Sequence, residues 1–370
     1  MVPLARRYLF SDRLRFAISA GGVAFAVLLI VLILASYQGQ YARAGRLAAT
    51  APTNLWVTQA GAPDPSQGAS ILPLSALEQL KKVPGVAEAQ PLFARTMQVG
   101  ATPNEGTFAL AMALPVGPLQ IATAEAFGVD SLPGKGQVTL SDLIADEIGV
   151  DVGDTAFIGA EPLEVGQVTS LVEGTWSGVV FVSADDSPVL FRHPEAFSFA
   201  LVTTAPEADE QTVEADIENR LRGTNALTRD EFTDLTRRQI EEQFLPIIAV
   251  LVAVAFIVGL AVIALTIYTS TVERVRDYGV LKAVGASPRQ LFAVVVRQSV
   301  VVAVLGYAFG TILGFVAGKA VQNGVPDFAT IYRWQDLLAV FVAALVMSII
   351  AAIVPIRRVA SVDPAIVFRA

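Results

Sequence analysis

The chain has 370 residues, of which 54% are hydrophobic and only 16% charged, against roughly half and about a quarter in soluble domains, so part of it resides in lipid. It holds no cysteine, which excludes disulfides, thiolate metal sites and cysteine nucleophiles and leaves the redox compartment unread. The net charge of −8 is uneven: residues 37–243 carry 12 Lys and Arg against 28 Asp and Glu, a net of −16.

Basic residues crowd instead into the N-terminus (Arg6, Arg7, Arg13, Arg15), the 273–297 stretch (Arg274, Arg276, Lys282, Arg289, Arg297) and the tail (Arg357, Arg358, Arg369). Lys and Arg near membrane ends mark the cytoplasmic side. Those three segments, and with them both termini, are therefore expected inside and the acidic block outside.

Residues 1–15 interleave Leu4, Tyr8, Leu9 and Leu14 with four arginines, the pattern of a basic helix lying along an anionic membrane surface. Residues 16–37 are apolar or small and uncharged, long enough to cross a hydrocarbon core of roughly 30 Å. A cleaved signal peptide is the rival reading, since Leu34-Ala35-Ser36 is small. Signal cores, however, run only about 7–15 residues.

Residues 38–227 are punctuated like a folded mixed α/β domain. Leu55–Gln59 and Phe93–Val99 alternate like strands, with a loop at Pro63–Gly68. Ser75 with Glu78 predicts a capping box at the start of a helix that carries Leu77 and Leu80 and ends at Val83-Pro84-Gly85-Val86. Residues 138–159 read as a strand, a helix over 141–148 and a Gly153-Asp154 turn into another strand. The acidic residues there, Asp142, Asp146, Glu147, Asp151 and Asp154, lack the register of a calcium loop and read as a solvated face. Strands are expected at 179–183 and 199–203. His193, the single histidine, falls beside a proline, as a loop residue rather than a metal ligand. Val213, Ile217 and Leu221 repeat every four residues on a charged background, an amphipathic helix closed by Gly223.

Thr228 opens a charged helix that runs almost directly into a second span, so that 228–271 reads as a stalk plus membrane helix, with Pro246 at the junction. Residues 272–290 form a short charged island between apolar runs. Val275, Tyr278 and Leu281 recur at helical spacing, while Gly285 and Pro288 supply stop signals. This predicts an amphipathic helix at the membrane surface. The third span covers 291–321, where Gly306, Gly310, Gly314 and Gly318 fall at four-residue intervals and make a face for close helix packing. Whether it packs within the subunit or across a dimer stays open. A short external loop, 322–336, carries Trp334 as an interface anchor; 337–356 is the fourth span and 357–370 a cytoplasmic tail.

At the island the chain resembles the MacB/FtsX-type (type VII) ABC transporter permeases, whose corresponding loop carries R-x-[ED]-[IYF]-G-[VIL]-x-[KR]-A-[VIL]-G-A. The matching residues are Arg274 or Arg276, Asp277, Tyr278, Gly279, Val280, Leu281, Lys282, Ala283, Val284, Gly285 and Ala286. The tail resembles the family ending at Pro355, Arg358, Asp363, Pro364, Phe368 and Arg369. The basic N-terminal helix resembles the family's elbow, and the 74–91 and 138–159 patterns its periplasmic core domain.

The resemblance implies an α-helical membrane protein with four transmembrane helices plus a mixed α/β extracytoplasmic domain inserted between helices 1 and 2, in the bacterial inner membrane. It implies that the island is a coupling helix docking on a separate ABC ATPase, that ATP and magnesium belong to that partner, and that a second permease copy completes a homodimer. A periplasmic adaptor or hydrolase is a further partner it allows; membrane lipids surround the spans and no nucleic acid is involved.

The residues themselves offer no catalytic set. Gly128–Gly136 (GVDSLPGKG) resembles a phosphate loop only loosely, with five residues between the glycines and no Ser or Thr after the lysine. One histidine supports no Ser-His-Asp arrangement, and no charge sits mid-span to mark an ion path. The expectation is a non-catalytic permease working mechanically, exporting or extracting a lipid, lipoprotein, peptide or drug-like substrate. The alternative is an FtsX-like signalling or scaffold protein regulating an extracytoplasmic partner such as a cell-wall hydrolase.

Overall fold

The computed structural model describes residues 13–62, 70–171, 178–192, 195–273, 280, 287–324 and 328–360. The elbow residues 1–12, the loop at 63–69, His193, and the tail motif at Asp363, Pro364, Phe368 and Arg369 lie outside the described residues. Two compact units emerge, one of residues 1–39, 243–324 and 328–370, the other holding residues 40–242.

Helix α1, Arg13–Arg43, is followed by α2, Arg46–Thr50. The external unit then supplies β1 (Leu55–Gln59), β2 (Leu72–Pro73), α3 (Leu74–Leu80), β3 (Val86–Gly100), β4 (Thr107–Ala113), α4 (Gln120–Ala126), β5 (Gln137–Ser141) and α5 (Asp142–Ile148). It continues with β6 (Thr155–Ile158), β7 (Glu161–Thr169), β8 (Val179–Val182), α6 (Ser187–Phe191), β9 (Ala196–Phe197), β10 (Phe199–Thr204), α7 (Glu210–Arg220) and β11 (Thr224–Thr228). The chain ends in three long helices, α8 (Arg229–Glu273), α9 (Pro288–Gly324) and α10 (Trp334–Ala360). With α1 these are, among the described residues, the four helices long and apolar enough to cross a membrane. The protein is thus an α-helical membrane protein with a mixed α/β extracytoplasmic domain following its first span.

The nine-stranded sheet runs β11-β1-β10-β3-β4-β8-β5-β7-β6 and returns from β6 to β3. The fifteen-residue strand β3 serves two masters. Its first half pairs with β10 (Leu92 opposite Phe199), its second with β4 and, at Val99 and Gly100, with β6. β3, β4, β8, β5, β7 and β6 therefore close into a barrel, which leaves that part of the sheet without edges.

Alternation then sorts the side chains. Ala109, Ala111 and Ala113 of β4 turn inward with Val138, Leu140, Val180, Val182 and Ile158, and α5 contributes Ile144 and Ala145. Small residues on one wall fit a narrow barrel. Leu110 and Met112 face the other way, toward Phe181, Phe127 of the α4 C-cap and Trp56. In the open part of the sheet, Leu55, Val57, Ala200 and Val202 meet α3 and α7 through Leu80, Val213 and Ile217.

Two local readings change in the structure. Ser75 caps nothing: α3 begins at Leu74 behind Pro73, the Leu74 N–H donates to the Glu195 carbonyl at 3.0 Å, and Glu78 pairs with Lys81 at 3.2 Å. Ser75 thus sits inside the first turn, where an N-cap bond is not available. Pro288, read as a stop, opens α9 as its first residue, a position where its missing N–H costs nothing. The helix over 141–148 behaves as expected, with the Ser141 hydroxyl accepting from Ile144 N–H at 3.3 Å and Gly149 ending it at φ 69°.

Candidate functional site

The island between α8 and α9 is the sequence's strongest functional signal. Arg274, Arg276, Asp277, Tyr278, Gly279, Leu281, Lys282, Gly285 and Ala286 all lie outside the described residues. Val280 alone is described, helical and 43% exposed. The exit from the island is well defined. Ser287 precedes Pro288 and its N–H donates to Gln290 Oε1 at 2.9 Å, while Gln290 N–H returns to the Ser287 carbonyl at 2.9 Å.

Three of the four evenly spaced glycines of α9, Gly306, Gly310 and Gly314, face the chain's own α1. A Cβ at Gly306 would come within 2.5 Å of Val23 Cβ, one at Gly310 within 2.5 Å of the Ala24 carbonyl oxygen and 2.8 Å of Val27 Cβ, and one at Gly314 within 3.1 Å of Val31 Cγ1. Glycine on α9 and valine on α1, each recurring every four residues, form a knob-and-groove seam. Gly318 departs from it, abutting the Tyr332 hydroxyl and Leu32.

The segment before α10 is tied to the same two helices. Tyr332 donates its hydroxyl to the Gly314 carbonyl at 3.1 Å, Ile331 N–H donates to the Ala35 carbonyl at 2.9 Å, and Arg333 donates to Gln38 Oε1 at 3.2 Å. On the other side of α1, Gly259 of α8 lies against Ala26 and Met347. Tyr332 and Gly259 are positioning residues that the sequence reading missed. Their signals were weak, an aromatic residue just outside an apolar run for Tyr332 and a lone glycine inside one for Gly259.

At the opposite end of α8 the helix is anchored in the external domain. Thr228, last residue of β11, caps it: Glu231 N–H donates to Thr228 Oγ1 at 3.2 Å and Thr228 N–H to Glu231 Oε2 at 2.8 Å, a reciprocal capping box. One turn on, Phe232 stacks on Trp56 with centroids 4.9 Å apart and planes 13° apart, and Phe199 meets both rings edge-on. Such pairs add about 0.5–1.5 kcal/mol each beyond burial. Thr233 packs against Gly45, whose φ of 78° and lack of Cβ permit the approach. α8 thus begins as part of the domain core and runs without interruption through Pro246 to Glu273.

Beside this anchor stand Glu214, Glu218 and Glu231. Partial burial first, then the charges of Glu231 and Glu218, push the Glu214 carboxyl above its ordinary range. Among the described residues no group of His, Asp or Glu is arranged to hold a metal ion.

Comparison with known proteins returns the following likenesses. Residues 16–220 match the family model of the MacB-like periplasmic core domain, and residues 249–364 that of the FtsX-like permease C-terminal region. An uncharacterized ABC transporter permease of Mycobacterium bovis is 26% identical over 368 residues, covering 96% of this chain and 95% of the relative. The macrolide export ATP-binding/permease protein MacB of Escherichia coli is 30% identical over 135 residues, 35% of this chain and 21% of that protein. The crystal structure of the periplasmic region of MacB from Actinobacillus actinomycetemcomitans aligns at 11% identity and a TM-score of 0.38, covering 50% of this chain and 92% of that one.

Proposed function

This chain belongs to the MacB/FtsX-type family of ABC transporter permeases, and from that premise we propose that it converts ATP hydrolysis by a separate ATPase subunit into movement of its stalk and external domain. Two copies dimerise, and two ATPase subunits, which hold ATP and magnesium, close beneath them. The island of Arg274, Arg276, Asp277, Tyr278, Gly279, Leu281, Lys282, Gly285 and Ala286 receives that closure. The cargo is a lipid, lipoprotein, peptide or drug-like molecule taken from the outer leaflet or the external space.

The observation that carries this reading is α8. A single 45-residue helix starts from a capped, aromatic-locked turn in the external domain and ends at the island. A continuous helix transmits displacement along its axis; a Gly- or Ser-rich tether would absorb it.

The test is ATPase activity of the permease reconstituted in lipid with its cognate ATPase, native against Leu281→Asp. A charge on the docking face should abolish complex formation and permease-dependent hydrolysis while the chain stays folded. If no ATPase binds the native chain, the reading fails and a scaffold that regulates an external partner, such as a cell-wall hydrolase, takes its place.

A further inference from the structure

The lipid-facing surface of the membrane unit is interrupted by a groove of about 600 Å³ between α8 and α10, walled by Phe256 on one helix and by Leu338, Val342 and Val346 on the other. Ala339 and Ala343 line it as well, and their short side chains leave the space open. Trp334 and Gln335 stand at one end. The groove is shallow and open along its outer side.

We propose that this groove binds one acyl chain of a phospholipid from the external leaflet. Its position comes first. The Ile331 and Arg333 bonds tie the Trp334 end to Ala35 and Gln38 on α1, at the end from which α1 leads into the extracytoplasmic domain. Trp334 is therefore at the external interface, where indoles settle.

Length comes second. Trp334 to Val346 spans about 18 Å of helix, close to one leaflet's share, about 15 Å, of the hydrocarbon core. A neighbouring transmembrane helix would demand a groove running the full span. This one stops near mid-membrane, and its eight lining residues fall well short of the roughly 20–30 per side of a standard protein interface.

Chemistry comes third. The lining inside the mouth is wholly apolar, whereas the mouth offers an indole and the Gln335 amide. An apolar slot that ends at an indole and an amide suits an acyl chain below its polar headgroup. The inference stands apart from ATPase coupling and does not depend on it.

The full chain would be reconstituted in vesicles of phosphatidylglycerol and phosphatidylethanolamine, re-extracted in mild detergent and weighed by native mass spectrometry. The native chain and Val316→Trp, a control at a 62% exposed position of α9, should retain one phospholipid per chain. Ala343→Trp should retain about tenfold less, and the milder Ala343→Leu, which decides the matter if the larger side chain prevents folding, should fall between them. The chain has no cysteine, so Ala343→Cys reports alone and should yield no disulfide-linked dimer on oxidation. The proposal is overturned if the native chain retains no lipid, if the filled variants retain as much as native, or if Ala343→Cys cross-links efficiently, which would put a second copy in the groove.

Discussion

Glu214 is placed on α7 beside two carboxylates with structural duties. Glu218 accepts the Ala226 N–H at 3.2 Å and Glu231 accepts the Thr228 N–H at 2.8 Å. Together they seal the outer edge of β11, the open end of the sheet, against another strand. Glu214 contributes negative charge to the group, and burial, then Glu231 and Glu218, raise its carboxyl above the usual range. With a raised folded-state value the folded domain binds the proton more tightly than the unfolded chain does. Its stability therefore rises as pH falls from neutral toward the ordinary glutamate value, about 4.3, and is lost as pH climbs back. Glu214→Gln should stabilise the external domain at neutral pH and flatten this dependence. Thermal unfolding of the solubilised chain followed by tryptophan fluorescence between those limits checks it; an unchanged pH slope would refute the assignment.

Among the elements, the α1–α9 seam demands a missing side chain at three successive turns of one helix. Gly310→Val would drive a branched side chain into the Ala24 carbonyl and Val27, and backbone at that distance can yield only by separating the helices. The expected loss is roughly 1–3 kcal/mol, seen as a lowered melting temperature in detergent. Gly21→Ala, with nothing within 4 Å of the added methyl, should show no loss.

The seam was half legible in sequence. Four glycines at four-residue spacing announce close packing, but only the valines at 23, 27 and 31, buried inside an apolar run, say against what. Strands at 55–59, 179–183 and 199–203 and the helix carrying Val213 and Ile217 were readable because local alternation or periodicity marks them. The barrel was not. It depends on Val99 meeting Ile158 and on β4 lying parallel to β8, pairings between distant segments that no local pattern encodes. Ser75 and Glu78 show the converse failure, a good local motif displaced by a proline and a tertiary hydrogen bond.

For the whole molecule, force transmitted between ATPase and external domain would pass along α8, and the continuity of that helix is what can be broken. Two glycines inserted after Gln243, at the limit between the units, weaken the helix by about 1 kcal/mol each relative to alanine and rotate everything beyond them. ATPase docking and hydrolysis should survive. The nucleotide-dependent change in distance between spin labels on exposed Lys135→Cys in the two copies should vanish. Persistence of that change in the insertion variant would refute transmission through α8.

The sheet also sets an order of events during synthesis. β1 is flanked by β10 and β11, and Trp56 faces Leu227, so the first strand made waits for the last. At about 5–20 residues per second, roughly 9–35 s separate the emergence of Leu55 from that of Thr228. Until β10 emerges β1 is a bare hydrophobic strand on the far side of the membrane, and only β11 completes its pairing. The apolar half of α8 follows immediately behind Thr228, so sheet closure and insertion of the second span reach the translocation machinery almost together. The nascent domain is a natural client for any factor there that keeps unpaired strands apart.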